Sequence, residues 1–284
     1  MYAKRILAVV LALLAVPSLG LAQVKVAQTY GAGPNVFTLA TGSPGELGLL
    51  KLLGEAFASK NGATLKWVKA GTGESLDLLK AKAVDMVMVH APAKVDQAVK
   101  DGWAVNKTLI GSNEFFIVGP ASDPAGIVKA KTAKDAYADI AKAQKKFFSR
   151  GDNSGTHQKE TSIWKAVGIE PSGPWYVVTK EFMTATLKRA NEEGGYFMTD
   201  SSTWVAEKKS LPKLTILFRG DKMLVNTYHA LAQPAGATPG AKTAAAFIDF
   251  VASKEGQDII RSFGKAEHGE ALYNDAEYAK KYDN

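Results

Sequence analysis

Short apolar runs of strand type alternate along this chain with glycine-bearing turns and segments of helical period, and that rhythm restricts it to an α/β architecture. Phe37-Thr38-Leu39-Ala40 reads as a short buried strand, followed by the turn Thr41-Gly42-Ser43-Pro44-Gly45. Leu47, Leu50, Leu53 and Phe57 then recur at helical spacing. Leu65-Lys66-Trp67-Val68 alternates as a strand, Gly71-Thr72-Gly73 makes the next turn, and Leu76 and Leu79 mark a second helix. A further strand over residues 84–90 closes at Pro92. The pattern predicts a largely parallel sheet, in which ligands sit beyond the carboxyl ends of the strands. Thr41-Gly42-Ser43 and Gly71-Thr72-Gly73 both fall at that edge.

Phe115-Phe116-Ile117-Val118 reads as a strand leaving this first unit, with Gly119-Pro120-Ala121-Ser122-Asp123-Pro124 as the crossover. A second alternating set follows. It comprises helices over 133–143, 156–167 and 183–191, and strands ending at Ser149 and over 175–179, 196–199 and 214–218. The chain returns through 224–232 and ends in a long helical stretch, 242–263, whose Phe247, Val251, Ile259 and Phe263 offer an apolar face to the first unit. The expected organisation is two α/β lobes joined by two crossovers. Residues 23–120 form the first part of lobe 1, residues 121–219 form lobe 2, and residues 220–284 return to lobe 1.

Residues 1–22 read as a secretory signal, with Lys4 and Arg5, an apolar run over 6–16, and Gly20-Leu21-Ala22 as a small-residue cleavage site. The mature chain is expected to begin near Gln23, the alternative being an uncleaved anchor. The run is shorter than the roughly 20 apolar residues of a membrane span. The sequence has no cysteine, which excludes a disulfide framework, a lipidated cysteine anchor and a thiolate metal site. The formal charge of +7 falls to +5 without Lys4 and Arg5, a modest excess compatible with steering anions, nucleic acid or acidic surfaces. Export argues against nucleic acid, and Lys142, Lys145 and Lys146 read as solvated helix ends rather than an aromatic-studded groove.

The segment Ser149-Arg150-Gly151-Asp152-Asn153-Ser154-Gly155-Thr156-His157 gathers a guanidinium, hydroxyls and permissive backbone just before an amphipathic helix. A helix start offers unpaired N–H groups and the positive end of the peptide dipoles, and Arg150 adds a permanent charge with a fork of donors. The competing reading is an N-capped helix with an arginine in an ordinary surface pair. The same choice, anion half-site or helix cap, applies to Thr41, Gly42 and Ser43, and Thr72 sits in a turn that can simply connect two elements. What favours an anion is coincidence: a hydroxyl and glycine turn in one lobe, and Arg150, Ser154 and Thr156 in the other. A closing cleft would unite them around a tetrahedral dianion, which accepts several charge-assisted bonds. Asp152 reads as orienting Arg150, as accepting a proton from a protonated oxyanion, or as a turn aspartate. His90 reads as filling a lobe edge or standing behind the site. No G-x-S-x-G elbow, H-E-x-x-H motif or P-loop is present, and Asp152, Ser154 and His157 are too close in sequence to assume a triad. No catalytic residue, resident metal or cofactor is expected.

Together these segments resemble the tungstate-binding periplasmic proteins of bacterial ABC importers, a branch of the type II solute-binding fold. The resemblance runs from Thr41-Gly42-Ser43 through Lys69-Ala70-Gly71-Thr72-Gly73, Asp85-Met86-Val87-Met88-Val89-His90-Ala91-Pro92 and Asn113-Glu114-Phe115-Phe116-Ile117-Val118-Gly119-Pro120. It continues through the Arg150 segment as far as Glu160, then Trp164-Lys165-Ala166-Val167-Gly168-Ile169 and Tyr196-Phe197-Met198-Thr199-Asp200. It implies a two-lobed periplasmic-binding-protein type II fold with a hinged inter-lobe cleft. By that resemblance Thr41, Ser43, Arg150 and Thr156 are the ligand candidates, with Ser154 and Gly155 as helix-start donors; the reading of the two glycine turns adds Gly42 and Thr72. The expected partners are tungstate or molybdate and a membrane permease, with the chain itself a periplasmic monomer. One departure stands out: a run of threonines usually precedes the serine, whereas this chain reads Ala40-Thr41-Gly42-Ser43. The missing hydroxyls leave three alternatives: a pocket built on backbone N–H groups, a different oxyanion such as phosphate or sulfate, or a small organic carboxylate. The reading from another class is an exported hydrolase using Asp152, His157 and Ser154.

Overall fold

The computed structural model describes residues 24–283, so the expected signal segment, 1–22, lies outside the described residues. The first set of elements is β1 (Gln28–Tyr30), β2 (Asn35–Thr41), α1 (Ser43–Glu46), α2 (Leu49–Asn61), β3 (Ala63–Lys69), α3 (Thr72–Lys80), β4 (Met86–Val89) and α4 (Pro92–Lys100). A long strand, β5 (Val105–Pro120), leads into the second set. That set is α5 (Ala133–Ala143), β6 (Phe147–Ser149), α6 (Gly155–Val167), β7 (Tyr176–Val178), α7 (Met183–Glu193), β8 (Tyr196–Asp200), α8 (Ser201–Glu207) and β9 (Leu214–Phe218). The return comprises β10 (Val225–Ala232), α9 (Ala241–Ala252), α10 (Lys254–Ser262), α11 (Lys265–His268), β11 (Asn274–Asp275) and α12 (Ala276–Ala279). No helix among the described residues is long and apolar enough to cross a membrane.

The strands join in the order β1-β3-β2-β4-β10-β5-β8-β6-β7, with β9 and β11 paired to β5 off this path. β2 lies parallel to β3 and β4, with Leu39 opposite both Trp67 and Met86. Buried on both faces, such a strand carries a nearly continuous apolar sequence, as Phe37, Leu39 and Ala40 do. β6 is likewise parallel to β7 and β8. The expectation of a largely parallel sheet holds within each set and fails between them. β5 and β10 run between the sets in opposite directions, so they pair antiparallel to each other, to β4 and to β8.

Two large apolar clusters divide the molecule. The first contains Phe37, Leu50, Leu53, Phe57, Leu65, Phe247 and Val251, so α9 packs against the first set. A smaller cluster with Val68, Leu76, Val87 and Leu231 covers the other face of that sheet. The second large cluster contains Phe115, Ile117, Tyr137, Phe147, Trp164 and Phe197.

The helical stretch expected over 242–263 is interrupted. Ser253 is extended (φ −65°, ψ 164°), ends α9, and caps α10 by accepting the Gly256 N–H at 3.3 Å. A serine hydroxyl competes well for such N-terminal donors, which is why the chain turns there. The boundaries also differ from expectation. β5 runs through residue 120, and its Phe115 to Val118 pack in the second cluster, as does Leu224. A strand that runs unbroken through both halves has no turn to mark where its partner changes.

Candidate functional site

β2, β3 and β4 are mutually parallel, so their carboxyl ends emerge together. The turn 41–43 leads from β2 into α1, the turn 70–72 from β3 into α3, and His90 follows β4. Across from them, β6 ends at Ser149 and Arg150 begins the loop to α6. Gly151 (φ 60°) needs to be glycine, because a Cβ there would overlap the Val178 side chain. Asp152 Oδ1 then accepts the Ser154 N–H at 3.1 Å, and Ser154 Oγ accepts the His157 N–H at 3.2 Å as the cap of α6. Both of these are local bonds of the kind short polar side chains favour.

Arg150 is 4% exposed. Its Nη2 pairs with Asp152 Oδ2 at 2.5 Å, its Nε donates to the Glu181 carbonyl at 3.2 Å, and its Cζ lies 5.3 Å from the centre of the Phe182 ring. Nη1 has no acceptor among the described residues. The Thr156 hydroxyl is buried and also has no partner among the described residues. At the start of α6 the N–H groups of Gly155 and Thr156 find no acceptor among the described residues either, as expected for a first helical turn. The unused part of a buried guanidinium, an orphan hydroxyl and free N–H groups at one helix start form a set of donors without an acceptor among the described residues.

The two halves meet at this point. A Cβ on Gly71 would stand 3.3 Å from Ser154 Cβ, one on Gly73 would overlap Asn153, and one on Gly155 would overlap the His90 ring. Lys94 Nζ donates to Asn153 Oδ1 at 3.4 Å. Lys69 Nζ pairs with Glu46 at 3.0 Å and lies 4.4 Å from the Phe182 ring centre. Gly42 adjoins the Ala70 carbonyl, where a Cβ would sit at 3.3 Å. The turns singled out in one half and the Arg150 loop in the other thus share one junction.

Not every candidate offers its side chain there. The Thr41 hydroxyl is fully buried and donates to the Met88 carbonyl at 2.8 Å, while its own carbonyl accepts Trp67 Nε1 at 3.0 Å. A hydroxyl has one proton, so Thr41 ties β2 to β4 and has none left for an anion. Thr72 Oγ1 accepts the His90 N–H at 3.4 Å, which leaves its proton free. Ser43 is half-buried with no hydroxyl partner among the described residues, and Gly42 contributes backbone only. Ser154 caps its helix rather than meeting an imidazole, and His157 Nδ1 accepts the Asn153 N–H at 3.0 Å. The nucleophile and base of a hydrolase are therefore not assembled. Among the described residues no group of three or more His, Asp or Glu side chains is placed to hold a metal.

The sequence reading passed over a polar network behind the junction. His90 Nδ1 lies 2.8 Å from Asn226 Oδ1, and Asn226 Nδ2 donates to Asn113 Oδ1 at 2.8 Å. With Asn226 oriented that way, the imidazole carries its proton on Nδ1. Burial pushes the His90 pKa down to about 4, so the ring is neutral. Asn113 Nδ2 donates to Ser202 Oγ at 2.7 Å, and buried Asp200, its pKa raised by burial, accepts from the Thr203 N–H and hydroxyl at 2.8 and 2.9 Å. Behind Thr156, Glu160 accepts from Tyr176 Oη at 2.6 Å and Trp164 Nε1 at 3.2 Å, and burial pushes its carboxyl up to about 7. The available signal was an amide at a strand position: Asn113 in the Ser112-Asn113-Glu114 stretch of β5 and Asn226 near the start of β10 are both buried. An open groove of about 460 Å³ beside Trp164, Ile169, Pro171 and Tyr176 shares none of the junction's residues.

A family model described as a PBP superfamily domain matches residues 28–255. The tungstate-binding protein TupA of Peptoclostridium acidaminophilum is 33% identical over 254 residues, covering 88% of this chain and 88% of that protein. The solved tungstate ABC transporter structure from Geobacter sulfurreducens is 39% identical, covers 82% of this chain and 100% of its own, and superposes with a TM-score of 0.73. The tungstate-binding protein TupA from Desulfovibrio alaskensis G20 is 38% identical, with 86% and 99% covered and a TM-score of 0.69. The chain belongs to the PBP superfamily, within the group that contains these tungstate-binding proteins.

Proposed function

We propose that this chain is an extracytoplasmic solute-binding protein that captures tungstate, and molybdate as a close analogue, and delivers it to the membrane permease of an ABC importer. The observation that carries this reading is the buried Arg150 fork beside a helix start whose Thr156 hydroxyl has no partner. Arg150, Thr156 and the N–H groups of Gly155 and Thr156 supply the second lobe's donors, with Ser154 holding the helix start in place. Ser43 and Thr72 supply hydroxyls from the first lobe, while Thr41 and Gly42 shape its turn. Lys69 and Lys94 at the rim add attractive potential for an anion.

Proton count favours a fully deprotonated anion. Tungstate near neutral pH needs donors only, whereas hydrogen phosphate also needs an acceptor. Asp152, the carboxylate nearest the arginine, already accepts from Arg150 on one oxygen and from the Ser154 N–H on the other. The asymmetry penalises a ligand O–H left unpaired in a buried site.

The lobes on this reading exchange at residues 113–114 and 225–226, so 24–112 and 227–283 form one body and 115–224 the other. Contacts from both bodies coexist only when the cleft is shut, so ligand binding favours closure. The junction is complete within one chain, which suits a periplasmic monomer. Calorimetric titration of the mature protein with tungstate, molybdate, sulfate and phosphate tests the assignment. Tungstate should bind most tightly and phosphate not measurably; absence of binding to either metal oxyanion would overturn it.

A further inference from the structure

The anion site as proposed leaves His90 without a task, yet the imidazole touches both of the parts that must move. Its Nδ1–H donates to Asn226 Oδ1 at 2.8 Å, and Asn226 continues to Asn113 at 2.8 Å. Those two asparagines face each other in register on β10 and β5, where the chain passes between the bodies. Asn113 in turn donates to Ser202 Oγ at 2.7 Å, which donates to the Leu272 carbonyl at 2.8 Å. The ring is also held by Tyr228, with centroids 4.8 Å apart, and by Phe115 at 6.2 Å.

The same ring, at Cε1 with Nδ1 and Nε2 on either side of it, occupies the space a Cβ on Gly155 would fill. Gly155 opens α6 and is outside the left-handed region, so its backbone would accept any residue. The imidazole, and not the local conformation, requires glycine there.

We infer that His90 is a positioning residue for closure: it is the first-lobe seat on which the start of α6 lands, and its hydrogen bond to Asn226 sets the hinge strands when it does so. The inference rests on the reading of this junction as the anion site, because the same helix start carries the ligand's donors. Anion capture, seating of Gly155 on the imidazole and alignment of Asn113 with Asn226 then form one cooperative event. The imidazole needs no contact with the anion to affect its affinity.

Titration with sodium tungstate, together with stopped-flow dissociation, separates the two readings. If the unmodified chain does not bind tungstate, the anion-site reading fails before any variant is compared. Gly155→Ala keeps the backbone donor and suits a helix, but its methyl overpacks the closed junction, so affinity should fall about 10- to 100-fold through faster dissociation. His90→Asn retains a donor for Asn226 and removes the ring edge. Combined with Gly155→Ala it should restore affinity to within about threefold of His90→Asn alone, a non-additive rescue. His90→Leu keeps bulk without the donor and should bind about tenfold more weakly than His90→Asn. Melting of the ligand-free proteins reports folding, and the His90→Asn and His90→Leu pair decides the matter if Gly155→Ala does not fold. Unchanged affinity in Gly155→Ala, losses that simply multiply in the double variant, or equal binding by the Asn and Leu variants would each overturn the assignment.

Discussion

Replacing Arg150 by alanine should separate binding from stability in a way the geometry makes quantitative. With Nε on Glu181 and one Nη2 proton on Asp152, the rest of the fork is free to reach an anion. Two charge-assisted bonds to a dianion, each worth about 1.5–3 kcal/mol, put the loss at about 3–6 kcal/mol, or roughly two to four and a half orders of magnitude in Kd. The unpaired Asp152 carboxylate would add repulsion in the same direction. Ligand-free stability should fall as well, but by less than the about 3–5 kcal/mol typical of breaking a fully buried pair. Asp152 keeps 19% of its side chain exposed, so water recovers part of its solvation. Adding Asp152→Asn to Arg150→Ala should recover stability without recovering affinity, because the donors stay absent. Titration calorimetry with tungstate and urea unfolding of the ligand-free proteins give the two numbers. A Kd for Arg150→Ala within threefold of the unmodified protein would refute the role of the guanidinium as a ligand group, whatever happened to stability.

Thr156→Val removes a buried hydroxyl that has no partner in the free protein, so tungstate affinity should drop about five- to tenfold while urea stability stays level or rises. Thr41→Val should do the reverse, costing about 1 kcal/mol of stability through the lost bond to Met88 and leaving Kd nearly unchanged. Stability against pH should be shallow in the unmodified protein because two buried groups oppose each other. His90, lowered from 6.5 to about 4, contributes stability in full above its ordinary value and loses it as pH falls towards 4. Glu160, raised from 4.5 to about 7, contributes in full below 4.5 and loses it as pH rises through 7. Urea unfolding from pH 4.5 to 7.5 should therefore show stability rising with pH in Glu160→Gln and falling in His90→Asn. Identical pH profiles in both variants would contradict the assignment.

The alternation of strand, glycine turn and helix was legible because each element states its period locally. α5, for example, matches its expected span, and its capping box of Thr132 and Asp135 is a purely local signature. The Arg150 loop was legible for a similar reason: glycine, an Asx turn and a serine cap act over a few residues. Thr41 was misjudged as a free donor because its acceptor, the Met88 carbonyl, is 47 positions away on a neighbouring strand. The boundary within β5 was hidden because the strand runs across it without a turn, and the break at Ser253 because Phe247, Val251, Ile259 and Phe263 keep helical spacing on both sides of it.

Local chemistry determined which residues can start helices, make turns and present donors to an anion, since capping, φ preference and side-chain proton count belong to the residue and its immediate neighbours. Tertiary structure decided which of those donors are unoccupied, that Gly155 must meet His90, and that Asn113 must meet Asn226. These are questions of hydrogen-bond competition and excluded volume between segments far apart in the chain. Only bringing β4, β5, β10 and α6 to one junction settles them, because a donor is free, or a glycine necessary, only in relation to what packs against it.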